Sequence, residues 1–153
     1  MIDKEEQRQT PYLDAYERYL KENTTVFDVP GHHQGKIRTD FDKIFTHVVY
    51  KNDVNCPRGM DNLMHPTGAI KEAQELFAKA TGADYCKFLV NGSTSGNLIM
   101  LLSSLKANDK IILPRNVHKS VINGLILSGA VPIFLMPEID KNTEIVNQIS
   151  FNE

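Results

Sequence analysis

Apolar residues recur at helical spacing in four places along this chain and form short unbroken runs in three others. Leu13, Tyr16 and Leu20 are spaced i, i+3, i+7, preceded by Thr10-Pro11, an N-cap residue with proline at the first helical position. This predicts a helix ending near Asn23. Ile70, Ala73, Leu76, Phe77 and Ala80 repeat the period, with Gly82 as a stop signal. A third apolar stripe is Leu98, Leu101, Leu102 and Leu105. A fourth places Val121, Ile122, Leu125 and Ile126 on one face of "KSVINGLILSG" (119–129). Between these lie "CKFLV" (86–90), "KIILP" (110–114) and "VPIFL" (131–135), apolar runs of strand length.

The second half of the chain therefore reads strand, helix, strand, helix, strand. Near-continuous apolar strands alternating with helices predict an α/β fold with a three-stranded parallel sheet joined by helical crossovers. The first half is different. Residues 1–9 are charged and expected to fray, and residues 24–68 show little lasting periodicity but contain Pro30, Pro57, Pro66 and four glycines. So long an irregular stretch in a compact protein is usually functional or wraps a partner. The expected division is an N-terminal helix with an extended segment over 1–68, then an α/β domain from 69 to 153.

In a parallel sheet the carboxyl ends of all strands share one edge. "NGSTSG" after the first predicted strand and "RNVHKS" after the second would then lie on one rim. The first enters a helix, where free backbone N–H groups and the positive end of the helix dipole favour an anion. Gly92 and Gly96 allow close backbone approach, and Ser93, Thr94 and Ser95 add hydroxyls. A phosphate monoester suits such a loop, although the same residues also make an ordinary N-cap. GxGxxG and GxxxxGK[ST] are both absent, which disfavours a dinucleotide or a nucleoside triphosphate. His118, at the end of "PRNVH", could stack on a flat ring whose phosphate sits in the first loop. Lys119 beside it is expected to be solvated.

Composition narrows the partners. The chain has 153 residues, 41% hydrophobic and 24% charged, enough for one ordinary core. A net charge of −2 and a pI near 6.2 lack the basic excess of a nucleic-acid binder. Cys56 and Cys86 show no metal-ligand or CxxC spacing, no metal site is expected, and Cys86 reads as a small core residue. "MIDKEEQRQT" lacks the apolar core of a signal peptide and no run approaches a membrane span, so a cytoplasmic protein is expected.

Four segments in order, "PGHHQG" (30–35), "MHPTGAIKEAQELFAKATGAD" (64–84), "FLVNGSTSGN" (88–97) and "PRNVHKSVINGLILSGAVPIF" (114–134), resemble the Orn/Lys/Arg decarboxylases. These are bacterial pyridoxal-phosphate enzymes of aspartate-aminotransferase fold, and the resemblance runs from about residue 10 to the end. It implies that Gly92, Ser93, Thr94, Ser95 and Asn97 grip the phosphate of pyridoxal 5'-phosphate and that His118 stacks on the pyridine ring as the catalytic residue. His33 stands where relatives commonly carry lysine. His65 to Gln74 lies close to the active site and dimer seam in relatives. The resemblance further implies a small amino acid substrate, arginine ahead of lysine or ornithine, and a homodimer for the full-length enzyme.

The Schiff-base lysine and the aspartate at the ring nitrogen lie, in the family, beyond the length of this chain. "SFNE" (150–153) has the form of a capping box announcing a further helix. The chain is thus expected to be the N-terminal part of a decarboxylase, with the α/β domain truncated, and to release no carbon dioxide by itself. Alternatives are a non-catalytic or dimerising remnant, an aminotransferase-like enzyme of the same fold, and a sugar-phosphate binder, which leaves His118 unexplained.

Overall fold

The structure, a computed structural model, describes residues 3–37, 40–44 and 47–149. The chain divides into two compact units, residues 1–88 and 89–153.

In the first unit, α1 spans Pro11–Glu22 and ends on Asn23, whose left-handed conformation closes the last turn. Helix α2 is a short His47–Lys51 segment, and α3 runs Ala69–Thr81 to a left-handed Gly82. The buried face of α1 is Ala15 and Tyr19, which pack on Met60 with Tyr16, Leu20, Val54 and Ala69 around them. Leu13, expected inside, is half exposed. The buried stripe sits one step around from the predicted one, on Ala15 and Tyr19 with Tyr16 and Leu20 partly buried beside them. In α3 the buried positions are Ile70, Gln74 and Ala78, while Phe77 is exposed.

Residues 3–9 do not fray as expected. Glu6–Arg8 form a 3-10 turn. Gln7 Nε2 donates to the Leu76 carbonyl at 3.0 Å, and Glu6 pairs with Lys79. Two side chains thus moor the segment to α3, an arrangement that its charge alone did not suggest.

In the second unit, α4 (Gly92–Ser104), β1 (Lys110–Pro114), α5 (Lys119–Ser128) and β2 (Val131–Leu135) form a crossover. Strands β1 and β2 pair in parallel from Lys110 opposite Val131 to Pro114 opposite Leu135. Gly129, left-handed at φ +70°, ends α5, and its carbonyl accepts the N–H of Asn108 at 2.9 Å just before β1. Helices α4 and α5 pack closely at Gly124, where a Cβ would come within 2.4 Å of Leu101 Cδ1. Leu101, Leu125 and Ala130 are buried in this unit. Ile126, expected on the inner face of α5, is exposed, and Ser120 and Gly124 occupy that face with Leu125.

The chain has a mixed α/β arrangement with a small parallel sheet, but the sheet has two strands, not three. "CKFLV" forms no strand, and Val90 is exposed. An apolar run becomes a strand only when a neighbouring backbone accepts and donates along its length, and no described strand lies beside it. A hairpin that the sequence reading omitted follows β2: β3 (Pro137–Ile139) pairs antiparallel with β4 (Val146–Ile149). Asp140 closes its turn by accepting from the backbone N–H of Thr143 and Asn142 and from the Thr143 hydroxyl. These bonds hold its carboxyl below the usual carboxylate range. The 150–153 capping box lies outside the described residues.

Candidate functional site

The residues of both rim loops fall in the second unit. Helix α4 begins directly on Gly92 rather than after the Ser/Thr cluster, so Ser93 to Asn97 are helical. Gly92 has φ +69°, and a Cβ there would meet open space; backbone conformation, not crowding, calls for glycine. Asn91 occupies the N-cap position, yet its side chain makes no capping bond, and no acidic residue stands in the first turn. The first N–H groups of a helix have no intrahelical partner, so those of α4 are left for an outside acceptor. Ser93 and Thr94 are exposed, and neither hydroxyl bonds another described residue. Ser95 turns back, its Oγ donating to the Asn91 carbonyl at 3.2 Å. Gly96 serves packing: a Cβ would lie 2.8 Å from Leu89 Cδ1.

The second loop delivers His118 as the N-cap of α5. Its Nδ1 accepts the backbone N–H of Ser120 at 3.2 Å and lies 2.8 Å from Ser120 Oγ. Asn97 Nδ2 in turn donates to Ser120 Oγ at 2.8 Å. The starts of α4 and α5 are thereby tied together through Ser120, which is 2% exposed. Sequence reasoning gave Ser120 no role; its place two residues after an N-cap histidine is the signal that marks it. Lys119 is exposed on the first turn.

The first unit offers two contrasts. His32 has both ring nitrogens engaged, Nδ1 accepting from Gly35 N–H at 3.2 Å and Nε2 meeting Asp53 Oδ2 at 3.2 Å. It straps the "PGHHQG" turn, in which His33 and Gln34 hold left-handed conformations. The start of α3, unlike that of α4, is already filled. Asp61 accepts the N–H groups of Asn62 and Thr67 on Oδ1 and of Gly68, Ile70 and Lys71 on Oδ2, at 2.8–3.3 Å. Burial pushes its carboxyl up, but these N–H donors together outweigh burial and hold it at about 2. A cleft of about 400 Å³ beside α3 includes Lys71, Lys79, Tyr85, Cys86 and Lys87. It is a poorer anion site than the start of α4, since Lys71 and Lys79 face Glu75 and Glu6 and Asp61 has taken the helix N–H groups. Cys56 and Cys86 are free thiols. Among the described residues no cluster of three His, Cys, Asp or Glu could hold a metal ion, and no helix is long and apolar enough to cross a membrane.

Comparison with known proteins decides the lineage. Residues 10–153 match the family model of the Orn/Lys/Arg decarboxylase major domain. The chain belongs to the Orn/Lys/Arg decarboxylase family. An arginine decarboxylase of Bacillus anthracis is 40% identical over 145 residues, covering 94% of this chain and 29% of the relative. The uncharacterized protein YaaO of Bacillus subtilis is 43% identical over 132 residues, 86% of this chain and 28% of the relative. The solved constitutive lysine decarboxylase of E. coli superposes with a TM-score of 0.79 at 27% identity, covering 94% of this chain and 21% of that one. The chain therefore spans less than a third of the length of these Orn/Lys/Arg decarboxylase relatives. Family enzymes depend on pyridoxal phosphate, and the open start of α4 suits its phosphate: free N–H donors, two unengaged hydroxyls and no nearby carboxylate in the first turn.

Proposed function

We propose that this chain supplies the cofactor-phosphate cradle and the ring-covering imidazole of a pyridoxal-phosphate-dependent decarboxylase acting on a basic amino acid. The observation that carries the reading is the uncapped start of α4 at Gly92, with the Ser93 and Thr94 hydroxyls exposed beside it. Backbone N–H groups of the first turn and these two hydroxyls bind the phosphate, and the helix dipole adds to the attraction. Ser95, already bonded to Asn91, contributes mainly its backbone. His118, on the start of the neighbouring helix, covers the ring and fixes its plane. When bound, the cofactor supplies the electron sink that lets an α-carboxylate leave as carbon dioxide. Arginine is the favoured substrate, because the arginine decarboxylases are 36–40% identical to this chain against 29% for a lysine and 30–32% for two ornithine decarboxylases.

The test is calorimetric titration of the chain with pyridoxamine 5'-phosphate, which lacks the aldehyde that surface lysines would trap. Saturable binding is expected, competed by inorganic phosphate and weakened about tenfold or more in Ser93→Ala/Thr94→Ala, as loss of two hydrogen bonds to a charged group requires. Equal binding by that double variant would refute the assignment.

A further inference from the structure

We infer that Ser120 and Asn97 are positioning residues that hold His118 in its Nε2–H tautomer; this rests on the reading above that His118 covers the cofactor ring. One fixed donor sets the direction of the bonds. The Ser120 backbone N–H, 3.2 Å from His118 Nδ1, cannot turn into an acceptor, so in the parent chain Nδ1 presents a lone pair to it. In the neutral ring the proton is therefore on Nε2. Ser120 Oγ lies 2.8 Å from the same Nδ1 and can only donate there. Its remaining lone pairs then face Asn97, 2.8 Å away, which orients the amide with its nitrogen toward Ser120.

The direction of every bond runs from α4 to the imidazole: Asn97 amide to Ser120 hydroxyl to His118 Nδ1. Ser120 is almost fully buried, so water does not substitute readily for its hydroxyl. The consequence concerns what His118 can do. Its Nδ1 is occupied by two donors, whereas Nε2 meets no other described residue. Toward a bound molecule the neutral ring offers an N–H donor and a flat face, not a basic nitrogen. Asn97, for which phosphate contact was expected, spends its amide nitrogen on this relay. Because Asn97 sits one turn beyond the phosphate loop, the same bond sets the imidazole relative to that loop.

The experiment is long-range ¹H–¹⁵N correlation of the His118 ring in the full chain without cofactor, for the parent, Ser120→Ala and Asn97→Asp. The parent should show a single Nε2–H tautomer. Ser120→Ala retains the backbone N–H donor and should keep the Nε2–H form; in Asn97→Asp the new carboxylate draws the Ser120 hydroxyl proton away, so that the hydroxyl oxygen presents a lone pair to Nδ1 at 2.8 Å, closer than the backbone N–H at 3.2 Å, and the Nδ1–H form should appear. If Ser120→Ala fails to fold, Asn97→Asp, isosteric and at a partly exposed position, decides. An Nδ1–H ring in the parent, or an unchanged single tautomer in a folded Asn97→Asp, overturns the inference. The readout needs no cofactor, so loss of pyridoxamine phosphate binding with the tautomer intact would fault the site reading alone.

Discussion

Replacing Asp61 by asparagine tests how the irregular first half is held. Five backbone N–H groups converge on this one carboxylate, three of them from Gly68, Ile70 and Lys71 where α3 begins. Its carboxyl falls from the ordinary 3.8 to about 2 on folding. Such a drop corresponds to at most ~2.5 kcal/mol of stability, and partial exposure to solvent brings the expectation to ~1–2 kcal/mol, in the range of N-cap losses. A depressed carboxyl contributes fully above its unfolded value and loses that contribution as pH falls through its folded value. The parent should therefore exceed Asp61→Asn at pH 7, and the gap should shrink as pH falls from about 4 toward about 2. Urea unfolding followed by tyrosine fluorescence is a selective assay: the five tyrosines, Tyr12, Tyr16, Tyr19, Tyr50 and Tyr85, all lie in residues 1–88, and there is no tryptophan. Equal stability at pH 7, or a gap of the same size at pH 2.5, would refute the reasoning.

Three further outcomes follow from local geometry. Gly124→Ala forces a methyl against Leu101 and should cost ~1–3 kcal/mol, read as a lower melting temperature in far-UV circular dichroism. Adding Leu101→Ala should cost less than the sum of the single changes, since both act on the same space, and strict additivity would contradict the contact. Gln7→Ala removes the bond to the Leu76 carbonyl and should cost ~0.5–1.5 kcal/mol together with faster proteolysis near residue 10; unchanged cleavage would show that the N-terminal turn is not moored there. Asp53→Ala frees one side of His32; Asp53 itself is mostly exposed, so a loss under ~1 kcal/mol is expected, and a larger one in urea unfolding would mean that the strap has been underrated.

Much of this architecture could be read from the chain because its signals are local. Thr10-Pro11 and Asn23, Gly82, and Gly129 punctuate α1, α3 and α5, and the parallel pairing of "KIILP" with "VPIFL" follows from two apolar runs flanking one helix. What escaped depends on partners distant in sequence. "CKFLV" has strand composition but no neighbouring backbone, so composition alone could not place it. Helix α4 starts on a Gly-Ser-Thr-Ser-Gly stretch of poor helix propensity, which read as loop until Leu98 and Leu101 and their packing at Gly124 carried the helix back to Gly92. Asp61 fills a helix start eight residues downstream, a spacing that no capping pattern encodes. The β3–β4 turn was accessible in principle, since Asp140 followed by Asn142 and Thr143 is turn chemistry. The motif residues Gly92 to Asn97 and His118 were legible as candidates, whereas the Ser120 link between them is a product of helix packing.

The central claim is that the open start of α4 receives a phosphate while His118 covers the attached ring. Amide and imidazole ¹H–¹⁵N spectra of the labelled chain, titrated with pyridoxamine 5'-phosphate and separately with pyridoxamine, test it most directly. The account predicts that Gly92, Ser93, Thr94, Ser95 and the His118 ring shift together along one saturable curve with the phosphate ester and stay in place with pyridoxamine. Stationary signals there, with shifts at Lys71, Lys79 and Lys87 instead, would contradict it.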